Sequence, residues 1–101
     1  MILTVDIGNT NIVIGCFEGK RLCFLERFET NQRWAALEYG VIFRETFSLY
    51  GMDASAVEGG IISSVVPSVT DTVKMAAERF TGSRFLAVGP GIKTGLKLAV
   101  D

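Results

Sequence analysis

Apolar positions recur along the chain with two periods, and each predicts a different kind of element. Ile2 to Ile7 and Ile12 to Phe17 are short runs rich in β-branched residues, joined by the turn Gly8-Asn9-Thr10-Asn11. A second turn signal, Glu18-Gly19-Lys20, leads into a third extended run from Arg21 to Phe28, so the chain opens as a three-stranded meander. From about Gln32 the period lengthens. Tyr39, Phe43, Phe47 and Tyr50 recur at helical spacing and Gly51 stands as a stop, which predicts one long amphipathic helix whose aromatic stripe packs on a sheet. Gly59 to Val66 is a short β-branched run without alternation, as expected of a strand buried on both faces, ended by Pro67. Ser68, three residues before Asp71, has the spacing of a capping box. Val69, Val73, Ala76, Ala77 and Phe80 then form the apolar face of a second helix closing at Gly82. Arg84 to Val88 predicts a fifth strand, followed by the loop Gly89-Pro90-Gly91-Ile92-Lys93-Thr94-Gly95 and another extended segment from Leu96 to Asp101.

The order strand, strand, strand, helix, strand, helix, strand is that of an α/β domain with a mixed five-stranded sheet and helices packed on it. In it the first, fourth and fifth strands can run parallel. It resembles the ribonuclease H-like domain that forms the half-unit of actin-like ATPases and sugar kinases. In that topology the first hairpin turn and the ends of the parallel strands face one cleft, which would bring Asp6, the Gly8 to Asn11 turn and the Gly89 to Gly95 loop together.

Composition narrows the classes. The 101 residues suit a single domain with one modest core, 49% of them are hydrophobic, and the mean hydropathy is +0.36, which excludes a disordered chain. The formal net charge is −1 with lysines and arginines scattered, so the basic footprint of a nucleic-acid binder is missing. Neither a membrane-length apolar stretch nor a signal-peptide pattern is present, and the expected location is the cytoplasm. Cys16 and Cys23 lack the spacing partners of a zinc site and read as reduced, half-buried strand residues. The segment contains no histidine, so any general base in it must be a carboxylate or a lysine.

Asp6-Ile7-Gly8-Asn9-Thr10 is the candidate chemistry. As a bare hairpin it needs no function, since glycine and asparagine both tolerate positive φ. Yet a carboxylate at a strand end, a glycine that admits close backbone approach, and small amide and hydroxyl groups are also what a Mg²⁺-phosphate site uses.

Together with Ile62-Ser63-Ser64-Val65-Val66-Pro67 and the Gly89 to Gly95 loop, Asp6-Ile7-Gly8-Asn9-Thr10-Asn11 resembles, over the whole chain, the type III pantothenate kinase family. The resemblance implies the N-terminal ribonuclease H-like domain, residues 1–101, of a two-domain homodimeric kinase. That enzyme would transfer the γ-phosphoryl of ATP to pantothenate, giving 4′-phosphopantothenate in the first step of coenzyme A biosynthesis. Its partners would be pantothenate and ATP, with no nucleic acid and no membrane, and its cofactors Mg²⁺ and a monovalent cation, K⁺ or NH₄⁺. Carried over residue by residue, Asp6 would hold Mg²⁺ directly or through water. Gly8, Asn9, Thr10 and Asn11 would line the ATP phosphates, and the Gly89 to Gly95 loop, including Lys93 and Thr94, would line the acceptor side. No catalytic base falls within the chain; the family's Gly-Ala-Asp-Arg motif and second domain are expected beyond Asp101, and the 101 residues alone are expected to be inactive. Two positions depart from the family pattern: Trp34-Ala35 stand where relatives often carry Lys-Thr, and Val100 stands where an aromatic is common. The alternatives are a non-catalytic regulatory relative, like a transcriptional accessory factor, and another actin-like small-molecule kinase.

Overall fold

The structure, a computed structural model, describes residues 1–89; the loop beyond Gly89, with Lys93 and Thr94, and the segment from Leu96 to Asp101 with Val100 lie outside the described residues. Five strands, β1 (Ile2–Ile7), β2 (Asn11–Glu18), β3 (Arg21–Glu29), β4 (Gly59–Ser64) and β5 (Phe85–Val88), form one sheet in the order β3-β2-β1-β4-β5. The meander β1-β2-β3 is antiparallel, while β1 with β4 and β4 with β5 are parallel. Helix α1 (Ala36–Leu49) links β3 to β4 and helix α2 (Pro67–Thr81) links β4 to β5. Both crossovers run the same way along the sheet, so right-handed connections set both helices on one face.

That geometry sorts each strand by parity. Leu3, Val5 and Ile7 of β1, Ile12, Ile14 and Cys16 of β2, Phe24 of β3 and Ile62 of β4 face the helices. They pack against Tyr39, Phe43 and Phe47 of α1 and Val69, Val73, Ala76 and Ala77 of α2. The two helices meet through aromatic rings, Phe80 standing edge-on to Phe47 at 4.9 Å. The fourth residue of the predicted stripe, Tyr50, is at the helix C-cap and exposed; it stacks on Phe24 at 4.8 Å and donates to a Glu26 carboxylate oxygen.

Four expectations change. Strand β4 is not buried on both faces, since Ile61 is 36% exposed on the side away from the helices. Helix α2 begins at Pro67, with proline at its first position and Val66 as N-cap; its start is set by the proline ring, and the Ser68 hydroxyl reaches Gln32 instead of capping. Helix α1 starts four residues later than its pattern suggested, because residues 31–34 are held as a loop by hydrogen bonds to Asn31. Cys16 is fully buried in the helix-side core, whereas Cys23 is partly exposed; both are free thiols.

Gly60 records how tightly β1, β4 and β5 approach. A Cβ built there would lie 2.1 Å from the Phe85 ring and 2.5 Å from the Leu3 carbonyl oxygen, so only glycine fits.

Candidate functional site

The candidate residues gather at the edge where the parallel strands end. Asp6 of β1 is flanked in the strand by Val5 and Ile7, both fully buried on the helix side, so its own side chain belongs to the opposite face. Its parallel neighbour is Ser63, whose neighbour in turn is Val88, giving a row Asp6, Ser63, Val88 across three strands. Beyond Val88 the chain reaches Gly89 at this same edge, and the rest of the glycine loop lies outside the described residues.

Immediately after β1 the chain makes a two-residue turn. The Gly8 N–H donates to the Asn11 carbonyl at 2.9 Å, leaving Asn9 and Thr10 exposed at the tip. None of these residues has positive φ among the described residues, so the bare-hairpin reading through a left-handed Asn or Gly does not describe this turn. A Cβ on Gly8 would stand 3.1 Å from the Asn11 carbonyl oxygen, which makes close approach the reason for glycine here. Both polar groups of the Gly8 backbone hold the turn, while the N–H groups of Asn9 and Thr10 make no hydrogen bond among the described residues. Two successive unbonded N–H groups in an exposed turn are the kind of donors that an anion can take.

What keeps the turn in place is a residue that the motif did not point to. Thr30, just past the end of β3, donates its hydroxyl to the Gly8 carbonyl at 2.8 Å and its N–H to the Thr10 carbonyl at 2.9 Å. Meander register could have found it, because Asn11 pairs with Glu29 and the next residue must lie against the turn. The adjoining loop is fixed from below by Tyr39, whose hydroxyl donates to the Asn31 carbonyl at 2.6 Å and accepts from the Asn31 N–H at 3.2 Å. Burial raises the Tyr39 pKa, with the Asn31 hydrogen bond acting in the other direction, so the phenol stays protonated and able to donate. Trp34 stands edge-on to Tyr39 at 5.3 Å, so the residue at the departure from the family pattern is a packing anchor for this loop.

On the other side of Asp6, the two serines of β4 separate into different roles. Ser64 accepts from the Val66 N–H at 3.0 Å and shapes the entry to α2, whose N-terminal end, with its positive partial charge, opens at this edge. Ser63 is 1% exposed and its hydroxyl has no hydrogen-bond partner among the described residues.

No group of three or more His, Cys, Asp or Glu side chains gathers among the described residues, so a closed all-protein metal cage is not built here. The donor set suits Mg²⁺ well, since that ion keeps several waters and is held by one or two carboxylates together with substrate phosphates. An orphaned buried hydroxyl beside the carboxylate is also what a site completed by a hydrated ion leaves in its absence. A groove of about 240 Å³ between α1 and α2, lined by Gly40, Arg44, Ala76, Arg79 and Phe80 among others, belongs to the helical side of the sheet and does not include Asp6.

A mixed sheet in this order, with a tight turn after β1 and two crossover helices on one face, defines the ribonuclease H-like fold of the actin-like ATPases. Solved structures agree. The ROK hexokinase of Thermus thermophilus superposes with a TM-score of 0.63 at 20% identity, covering 87% of this chain and 33% of that one. A structure titled as a putative N-acetylglucosamine kinase from Porphyromonas gingivalis gives 0.61 at 20% identity over 89% of this chain and 34% of that one. At these identities the likeness is one of fold. Sequence carries the assignment further: the type III pantothenate kinase family profile matches residues 2–101, and the chain belongs to that family. Curated type III pantothenate kinases from Myxococcus xanthus and Geobacter sulfurreducens are 41% and 42% identical over all 101 residues. The chain spans 40% of the length of each of these relatives.

No helix among the described residues is long and apolar enough to cross a membrane.

Proposed function

We propose that residues 1–101 form the phosphate-binding half of a two-domain, homodimeric cytoplasmic kinase that transfers the γ-phosphoryl of ATP to pantothenate. The observation that carries this reading is the turn itself: exposed Asn9 and Thr10, whose N–H groups make no hydrogen bond among the described residues, tied down at both ends in a turn that begins at Gly8, two residues past the carboxylate of Asp6. In this reading Asn9 and Thr10 donate to β- and γ-phosphate oxygens, Gly8 and Asn11 keep the backbone close enough for them to do so, and Asp6 holds Mg²⁺. When bound, the ion supplies neutralisation of the phosphate charge that develops during transfer. K⁺ or NH₄⁺ is the proposed second cofactor. The acceptor hydroxyl needs a base, and that role is assigned to the part of the relatives that this chain does not cover, where the family resemblance puts the Gly-Ala-Asp-Arg motif. The 101 residues alone therefore bind nucleotide weakly and do not turn over.

A coupled ADP-release assay on the full-length gene product, with pantothenate and with glucose as acceptors, tests the function. Pantothenate-dependent, Mg²⁺-dependent turnover is expected; equal turnover with glucose, or none with pantothenate, would refute it. Asp6→Ala should lower kcat at least about a hundredfold while the protein keeps its fold, the scale of losing one strong electrostatic contact to the transition state. Near-normal Mg²⁺-dependent turnover of that variant would remove Asp6 from the site.

A further inference from the structure

The buried threonine hydroxyls of this domain each have a visible destination. Three polar side chains are buried among the described residues: Thr46, Ser63 and Thr81. Thr46 donates to the Ile42 carbonyl at 2.7 Å and Thr81 to the Ala77 carbonyl at 2.8 Å, each bonding back along its own helix. Partly buried Thr4 donates to the Gly15 carbonyl, and Ser64 serves the turn into α2. Ser63 is the exception, a 1% exposed hydroxyl with no partner among the described residues.

Its position is specific. Ser63 is the cross-strand neighbour of Asp6, and strand alternation places it on the same face, because Ile62 before it points into the helix-side core. A buried orphan hydroxyl is unfavourable for folding, and alanine at that position would remove the unpaired group without opening a large space. A strand in need only of a small residue has no reason to carry the oxygen. The oxygen is explained if something bound beside Asp6 donates a hydrogen to it.

We propose that Ser63 is a positioning residue of the Asp6 site, its hydroxyl oxygen accepting a hydrogen from the water shell of a divalent cation held there. The proposal rests on the metal-phosphate reading of Asp6 and adds a second strand to it. The cation would then be gripped from β1 and β4 together, and its position tied to the parallel ladder as well as to the hairpin.

The test uses the full-length gene product and thermal melting, with no turnover involved. Mg²⁺ is titrated in the presence of a non-hydrolysable ATP analogue, and the Mg²⁺ concentration giving half the maximal stabilisation is read. Ser63→Ala should melt at the same or a higher temperature without ligand and require about tenfold more Mg²⁺, the scale of one hydrogen bond to an ion-polarised group. Ser63→Thr, which keeps the hydroxyl, should restore the ordinary requirement. Loss of ligand-free stability in Ser63→Ala with an unchanged Mg²⁺ requirement would overturn the proposal in favour of a structural serine. So would a requirement raised equally by Thr and Ala. Asp6→Asn separates the two levels: if it still shows the full Mg²⁺-dependent shift, the metal reading of Asp6 itself fails, whereas loss in Asp6→Asn with an unaffected Ser63→Ala rejects Ser63 alone.

Discussion

Thr30→Val is a sharp probe of how the turn proposed to bind phosphate is held. Valine has nearly the shape of threonine and equal comfort in extended backbone, so strand β3 and its pairing with β2 should be untouched. The substitution deletes one bond, from the Thr30 hydroxyl to the Gly8 carbonyl at 2.8 Å, and spares the other, from the Thr30 N–H to the Thr10 carbonyl at 2.9 Å. A neutral hydrogen bond contributes about 1 kcal/mol net, which in a domain of this size corresponds to a drop of about 4–8 °C in melting temperature. The consequence for chemistry should exceed the consequence for stability. Asn9 and Thr10 hang between the ends of the turn, and in the proposed role releasing one end would let their N–H groups drift from the phosphate; a misplacement approaching 1 Å can cost about a hundredfold in rate. We expect about a tenfold loss in kcat/KM for ATP in the full-length protein with KM for pantothenate unchanged, and recovery in Thr30→Ser. Steady-state kinetics with both substrates, paired with thermal melts, decides the matter. A variant that loses stability but keeps its kinetics for ATP would show that Thr30 merely closes the meander.

Gly60→Ala should destabilise the domain by about 1–3 kcal/mol or more, because the added methyl meets the boxed-in Phe85 ring and the Leu3 carbonyl at once; a melting temperature within 1 °C of the parent would mean the three strands are looser than described. The buried Cys16 thiol is pushed up to about 11, chiefly by burial and then by neighbouring Cys23, so iodoacetamide at about pH 8 should label Cys23 and spare Cys16 in the native protein, as mass spectrometry can read directly. With a folded pKa above the ordinary 9.0, the stabilisation carried by protonated Cys16 is complete below pH 9 and lost as pH rises toward 11; alkaline melts of Cys16→Ala should show a shallower decline over that window than the parent.

Much of this architecture was legible beforehand because alternation and helical period are imposed by burial. The strands β1 to β3, the stops at Gly51 and Gly82, with φ of +65° and +73°, and the parallel pairing of β1, β4 and β5 all follow from patterns visible in the chain. The errors share a cause. Val66-Pro67-Ser68 allows either a serine cap or a proline start, and only the hydrogen bonds choose between them; Gly59 to Val66 shows no alternation, although outward Ile61 is 36% exposed while outward Ser63 is buried. At the site, Asp6 and the turn announced themselves by unusual residue types, whereas Thr30 and Ser63 did not. Their chemistry comes from register, and one threonine or serine looks like any other until the ladder shows what lies beside it.

The parity of β1 divides the labour of one six-residue strand in two. Odd positions Leu3, Val5 and Ile7 carry the core, and even position Asp6 carries the candidate chemistry, with Ser63 matched to it on β4. Substitutions on the even rank can therefore explore new ligands at little expense to folding, since no core side chain changes. Deletion or insertion of a single residue inside the strand has the opposite character: it would send Asp6 among the aromatics of α1 and turn three aliphatic side chains outward, abolishing stability and chemistry in one event. Evolution at this edge is thus free in spelling and rigid in length.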